Sequence, residues 1–107
     1  MNVWVEAARP RTLPAAIAPV IVGTAAAQRV IPWRAASALV VALSMQVGVN
    51  YANDYFDGVR GVDTSARVGP RRAVASGLVT PRAMRSAMVL AFGVAAIAGT
   101  SLAVAIG

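Results

Sequence analysis

Val49-Asn50-Tyr51-Ala52-Asn53-Asp54-Tyr55-Phe56-Asp57-Gly58-Val59-Arg60-Gly61-Val62-Asp63-Thr64 holds three of the four acidic residues of the chain, Asp54, Asp57 and Asp63. It continues a run without charge, residues 35–53. About 20 helical residues cross the roughly 30 Å core of a bilayer, so the run reads as a transmembrane helix ending in an acidic stretch. If the helix continues into that stretch, Gln46, Asn50, Asn53, Asp54 and Asp57 recur at i, i+4, i+7, i+8 and i+11 and line one face. A polar stripe on an apolar helix faces a bundle interior or a water-filled cavity.

Outward from this stretch, two more uncharged runs reach membrane length, residues 12–28 and 86–107. The predicted spans are about 12–28, 35–57 and 81–107, with a loop over 58–80. Pro14 and Pro19 fall in the first span, where membrane helices tolerate proline, and a kink is expected near Pro19. Pro81 suits the first turn of the third helix with Thr80 as its N-cap. Of 107 residues, 58% are hydrophobic and 13% charged, too apolar for a small soluble domain. The expected fold class is an all-α membrane protein with three transmembrane helices.

The net charge of +6 comes from arginine alone, with no lysine. Arg9 and Arg11 precede the first span, Arg29 and Arg34 separate the first two, and six arginines separate the last two. Positive charge concentrates on the cytoplasmic side, which places the N-terminus and the loop 58–80 inside. A secretory signal peptide would explain the first run but not the two later ones. No aromatic residues interleave the arginines as a base-stacking platform needs, so no nucleic-acid partner is expected. Cysteine and histidine are absent, which excludes disulfides, Ser-His-Asp and Cys-His triads, and thiolate or imidazole metal sites. A metal here must be held by oxygen.

Asp near a helix C-terminus meets the negative end of the macrodipole, at a cost of about 0.3–1 kcal/mol each. A divalent cation reverses that sign. Magnesium takes few carboxylates together with waters and phosphate oxygens, so Asp54 and Asp57 are candidate catalytic and metal residues, bridging ions to a diphosphate. Arg67, Arg71 and Arg72 follow in the loop, and guanidinium forks grip phosphate oxygens bidentately. The alternative makes Asp54 and Asp57 interfacial charges paired with Arg60 and Arg67, and the loop arginines topology determinants. Gly58 and Gly61 are candidates to stop the helix and turn Asp63 back toward the site.

The Asn53-Asp54-x-x-Asp57 core resembles the first Asp-rich motif of the UbiA superfamily of intramembrane prenyltransferases. Ala8-Arg9-Pro10-Arg11-Thr12-Leu13-Pro14, Val49 to Tyr55, and Arg67-Val68-Gly69-Pro70 through Ser76-Gly77 are similar to its menaquinone branch, which acts on 1,4-dihydroxy-2-naphthoate. The resemblance implies the first third of a nine-helix bundle in a bacterial cell membrane, multi-pass with the N-terminus cytoplasmic. It implies Mg2+, held by Asn53, Asp54 and Asp57, with Asn50, Arg67, Arg72, Arg60 and Asp63 at the substrate. A polyprenyl group would pass from its diphosphate to 1,4-dihydroxy-2-naphthoate with decarboxylation, giving demethylmenaquinone. In the general pattern the third Asp lies four residues after the second; here five residues intervene before Asp63, and Ala73 stands where Pro or Leu is common. Other aromatic acceptors, and a non-catalytic protein associating through faces such as Ala95 and Gly99, are the competing readings. The sequence ends in an apolar run, and a fragment, inactive alone, is expected.

Overall fold

The computed structural model describes residues 2–60 and 73–107, apart from the side chain of Arg60. Helix α1 (Val3–Ala8) leads through a 3-10 turn (Pro10–Thr12) into α2 (Leu13–Ala26), followed by α3 (Pro32–Arg60) and α4 (Pro81–Ile106). Among the described residues there is no strand.

The 29 residues of α3 and 26 of α4 give lengths of about 43 and 39 Å, enough to cross a bilayer core. Helix α2 has 14 residues, about 21 Å, which is short of that thickness. Two of the three predicted spans therefore have membrane length. At its start, the 3-10 turn takes up Pro10–Thr12; at its end, Ala27 turns to an extended ψ of 139°. Pro19 sits inside α2 and does not end it.

Helix α4 begins as the sequence predicts. Thr80 Oγ1 accepts from the Ala83 amide at 3.2 Å, and Pro81 occupies the first turn, where its missing N–H leaves no gap. Helices α3 and α4 lie against one another through small residues. A Cβ on Gly48 would stand 2.7 Å from the Phe92 ring, and one on Gly99 would just touch Val41.

The apolar side chains of the long helices mostly point outward: Val89, Leu90, Ile97 and Val104 are all exposed. The buried core gathers instead at one end of the helices. There Ala7, Ala73, Val74, Val79 and Met84 pack together, with Val3, Trp4, Tyr51 and Tyr55 around them. Helix α1, which hydrophobic patterning did not reveal, completes this end. Asn2 caps it by accepting from the Trp4 amide at 2.8 Å, and Arg9 closes it in the left-handed conformation at φ 54°.

Candidate metal and diphosphate site

Asp54 and Asp57 lie on the last turns of α3, which runs through Gly58 to Arg60. Gly58 therefore does not stop the helix. Its function is spatial: a Cβ there would meet Val74 Cγ1 at 2.4 Å and the Ala75 amide nitrogen at 3.1 Å. The chain returning to α4 rests directly on that bare backbone.

That returning chain forms one closed turn. The Leu78 amide donates to the Ala73 carbonyl at 2.9 Å and the Gly77 amide to the Val74 carbonyl at 3.0 Å, with Gly77 at φ 76°. This is the pairing of a helix C-terminus closed by a left-handed glycine. At the opposite end of the turn, the two leading amides point at α3. Ala73 N–H donates to Asp54 Oδ2 at 2.8 Å and Val74 N–H to Asp54 Oδ1 at 2.9 Å. An aspartate 19 residues away in sequence thus caps the turn, with its carboxylate at the positive pole of the aligned amides. Asp54 is 1% exposed.

The polar face read from the sequence is divided between two tasks. Asn50, 2% exposed, donates through Nδ2 to the Ala8 carbonyl at 2.7 Å and to Thr12 Oγ1 at 2.9 Å. Thr12 Oγ1 in turn donates to the Arg9 carbonyl at 2.8 Å. Tyr51 adds a bond from its hydroxyl to the Trp4 carbonyl at 3.0 Å and an edge-on contact with the Trp4 ring. Asn50, Tyr51 and Asp54 are thus engaged with α1, the 3-10 turn and the turn at 73–77. Asn53 is exposed and Asp57 partly exposed. Viewed down α3, they stand about 140° and 180° from Gly48, the point of contact with α4. They are one turn apart on the side away from α4, and Gln46 lies on that side about two turns deeper than Asn53 and about three deeper than Asp57.

These residues fit magnesium as a partial donor set. Asn53 supplies a neutral carboxamide oxygen and Asp57 a carboxylate, both accessible, and magnesium needs only one or two protein carboxylates beside water and phosphate. Among the described residues no three acidic or other metal-ligating side chains converge. Asp63, Arg67 and Arg72 lie outside the described residues, as does the side chain of Arg60. The residues sequence reasoning missed are Ala73 and Val74, which act through backbone amides; the one signal was Gly77 followed by Leu78, a helix-ending pair.

Comparison with known proteins brings in a chemistry. Over 103 residues, 94% of this chain, it is 52% identical to a Mycobacterium tuberculosis protein named 1,4-dihydroxy-2-naphthoate octaprenyltransferase, covering 35% of that relative. A Mycobacterium leprae protein of the same name is 50% identical over 103 residues, again 35% of its length. The Escherichia coli protein so named is 39% identical over 102 residues, 33% of its length. The chain thus spans about a third of the length of the relatives it matches. No family model matches it, and no solved structure does.

Proposed function

We infer that this chain, a homologue of the 1,4-dihydroxy-2-naphthoate octaprenyltransferases over about a third of their length, belongs to a menaquinone-forming enzyme of the UbiA superfamily. The observation that carries the reading is the 52% identity to a prenyltransferase over 94% of the chain. The accessible Asn53–Asp57 pair at the end of a membrane-length helix supports it.

In this reading the enzyme moves a polyprenyl group from its diphosphate to carbon of 1,4-dihydroxy-2-naphthoate, with loss of the carboxylate. Magnesium, when bound, supplies Lewis-acid stabilisation to the departing diphosphate. Asn53 and Asp57 would hold it, and the arginines at 60, 67 and 72 are assigned to the diphosphate, where their charge would meet the negative charge developing on the leaving group. The second half of the donor set comes from the remainder of the full-length protein. The outward apolar faces of α2 and α4 meet lipid and the remaining helices of a nine-helix bundle, and shield the allylic cation from water. Helices α2, α3 and α4 form its first three members, with the N-terminus cytoplasmic by the arginine distribution.

The test is turnover by membranes containing the full-length protein, supplied with polyprenyl diphosphate and magnesium. Release of CO2 and diphosphate with formation of the prenylated quinol from 1,4-dihydroxy-2-naphthoate, recovered as demethylmenaquinone after oxidation by air, is the expected result, and Asp57→Asn should lower it by about tenfold or more, the loss that follows from one charged ligand. Turnover of 4-hydroxybenzoate or homogentisate without turnover of the naphthoate would refute the assigned acceptor.

A further inference from the structure

We propose that Asp54 is a positioning residue and not a magnesium ligand: it caps the turn at 73–77 and holds that turn against α3, leaving the cation to Asn53 and Asp57. The inference deepens the function proposed above and rests on it for the identity of the cation.

Three independent observations converge. Both oxygens of the Asp54 carboxylate accept short bonds from consecutive backbone amides, at 2.8 and 2.9 Å. The side chain is sealed from solvent, and Met84, which packs in the same core, is wholly buried. Gly58, one helical turn on from Asp54, has no side chain just where the turn crosses, so that a Cβ would overlap Val74. A ligand carboxylate needs lone pairs directed at an accessible ion with room for its waters. Asp54 instead has the setting of an N-cap, a buried charge satisfied by amide donors at the positive end of a turn. Asp57 and Asn53, on the accessible side of the same helix, have the setting that a hydrated cation requires.

The turn has a position that matters for the reaction. Ala73 is covalently joined to Arg72, so Asp54 holds the point at which the arginine-bearing segment 61–72 rejoins the described fold. Loss of that anchor should weaken diphosphate binding while the cation's own protein ligands remain.

The experiment compares Asp54→Asn and Asp57→Asn in the full-length protein, by amide hydrogen exchange of residues 73–79 and by magnesium titration of turnover. Asparagine at 54 keeps one acceptor and replaces the other with an N–H that opposes the facing amide. Exchange at Ala73 and Val74 should then accelerate by about tenfold or more. The KM for prenyl diphosphate should rise, and the magnesium midpoint should move by less than about threefold, against tenfold or more for Asp57→Asn. A midpoint shift in Asp54→Asn equal to that in Asp57→Asn overturns the proposal, and so does unchanged exchange at 73 and 74. Should the variant fail to fold, the wild-type protein still decides: protection of these amides without magnesium supports the cap, and protection appearing only with magnesium overturns it. The exchange data need no turnover, so a wrong acceptor or an inactive preparation leaves them readable.

Discussion

Replacing Gly58 with alanine tests the tightest approach at any glycine among the described residues. A Cβ built there lies 2.4 Å from Val74 Cγ1 and 2.6 Å from Val74 Cβ, with the Ala75 amide nitrogen at 3.1 Å. Rotation of Val74 can withdraw Cγ1 but not Cβ, which moves only with the backbone. Ordinary carbon–carbon contact begins at about 3.5 Å, so the turn must retreat by roughly 1 Å. The Asp54 bonds, now 2.8 and 2.9 Å, would lengthen to about 3.8 Å, past the limit for a hydrogen bond. Two bonds to a charged acceptor contribute about 1.5–3 kcal/mol each. Alanine returns about 1 kcal/mol through its better helix propensity. The net destabilisation is therefore roughly 2–5 kcal/mol. Thermal unfolding of the full-length protein in detergent measures it, with exchange at 73–79 to locate it. Adding Val74→Gly, which removes both clashing carbons, should recover part of the loss. If Gly58→Ala is as stable as wild type, the turn does not lie on α3 as described.

Two other substitutions address the end of the molecule where the core lies. Asn50→Ala leaves the Ala8 carbonyl and Thr12 hydroxyl without their donor and should cost about 1–3 kcal/mol in thermal or denaturant unfolding, with faster exchange in α1. Met84→Ala, at a side chain with no exposure, should cost about 2–5 kcal/mol by the same assay, while Met88→Ala further along α4 should cost less.

How much the sequence reveals depends on whether the physics involved is local. Charge-free runs located α3 and α4 because a membrane-length helix needs only continuous apolarity, and Thr80-Pro81 marked the start of α4 because capping acts within one turn. The end of α2 was less legible: the uncharged run continues to Gln28, while the helix stops at Ala26. Helix α1 was invisible, since six residues are too few for any periodicity to register. The spacing of Gln46, Asn50, Asn53, Asp54 and Asp57 correctly gathered them on a polar flank of α3. It did not say which would be spent on the fold itself, because the partners of Asn50 and Asp54 lie 42 and 19 residues away in sequence and are mainly backbone groups. Amides of alanine and valine leave no trace in residue type.

This division changes what the clustering of acids implies. Two carboxylates near a helix C-terminus look like one anomaly with one explanation, a cation that offsets their repulsion and the macrodipole. The structure separates them. The charge on Asp54 is offset by two amides of a neighbouring turn, so its position follows from tertiary structure without any ion. The candidate carboxylate for a cation is then Asp57, in the last turn of α3 and partly exposed. A single carboxylate with an adjacent carboxamide is a weak magnesium site by itself, since such ions are usually bound through one or two carboxylates plus phosphate oxygens. The physical consequence is order: the diphosphate and the ion should bind together, each completing the other's coordination. Calorimetry on the full-length protein should therefore find magnesium affinity at least about tenfold higher with a non-hydrolysable prenyl diphosphate analogue than without it, and the analogue's affinity raised by the same factor with magnesium. Equal magnesium affinity in the two titrations would mean that the protein alone builds the cation site, and that its ligands must be sought beyond Asn53 and Asp57.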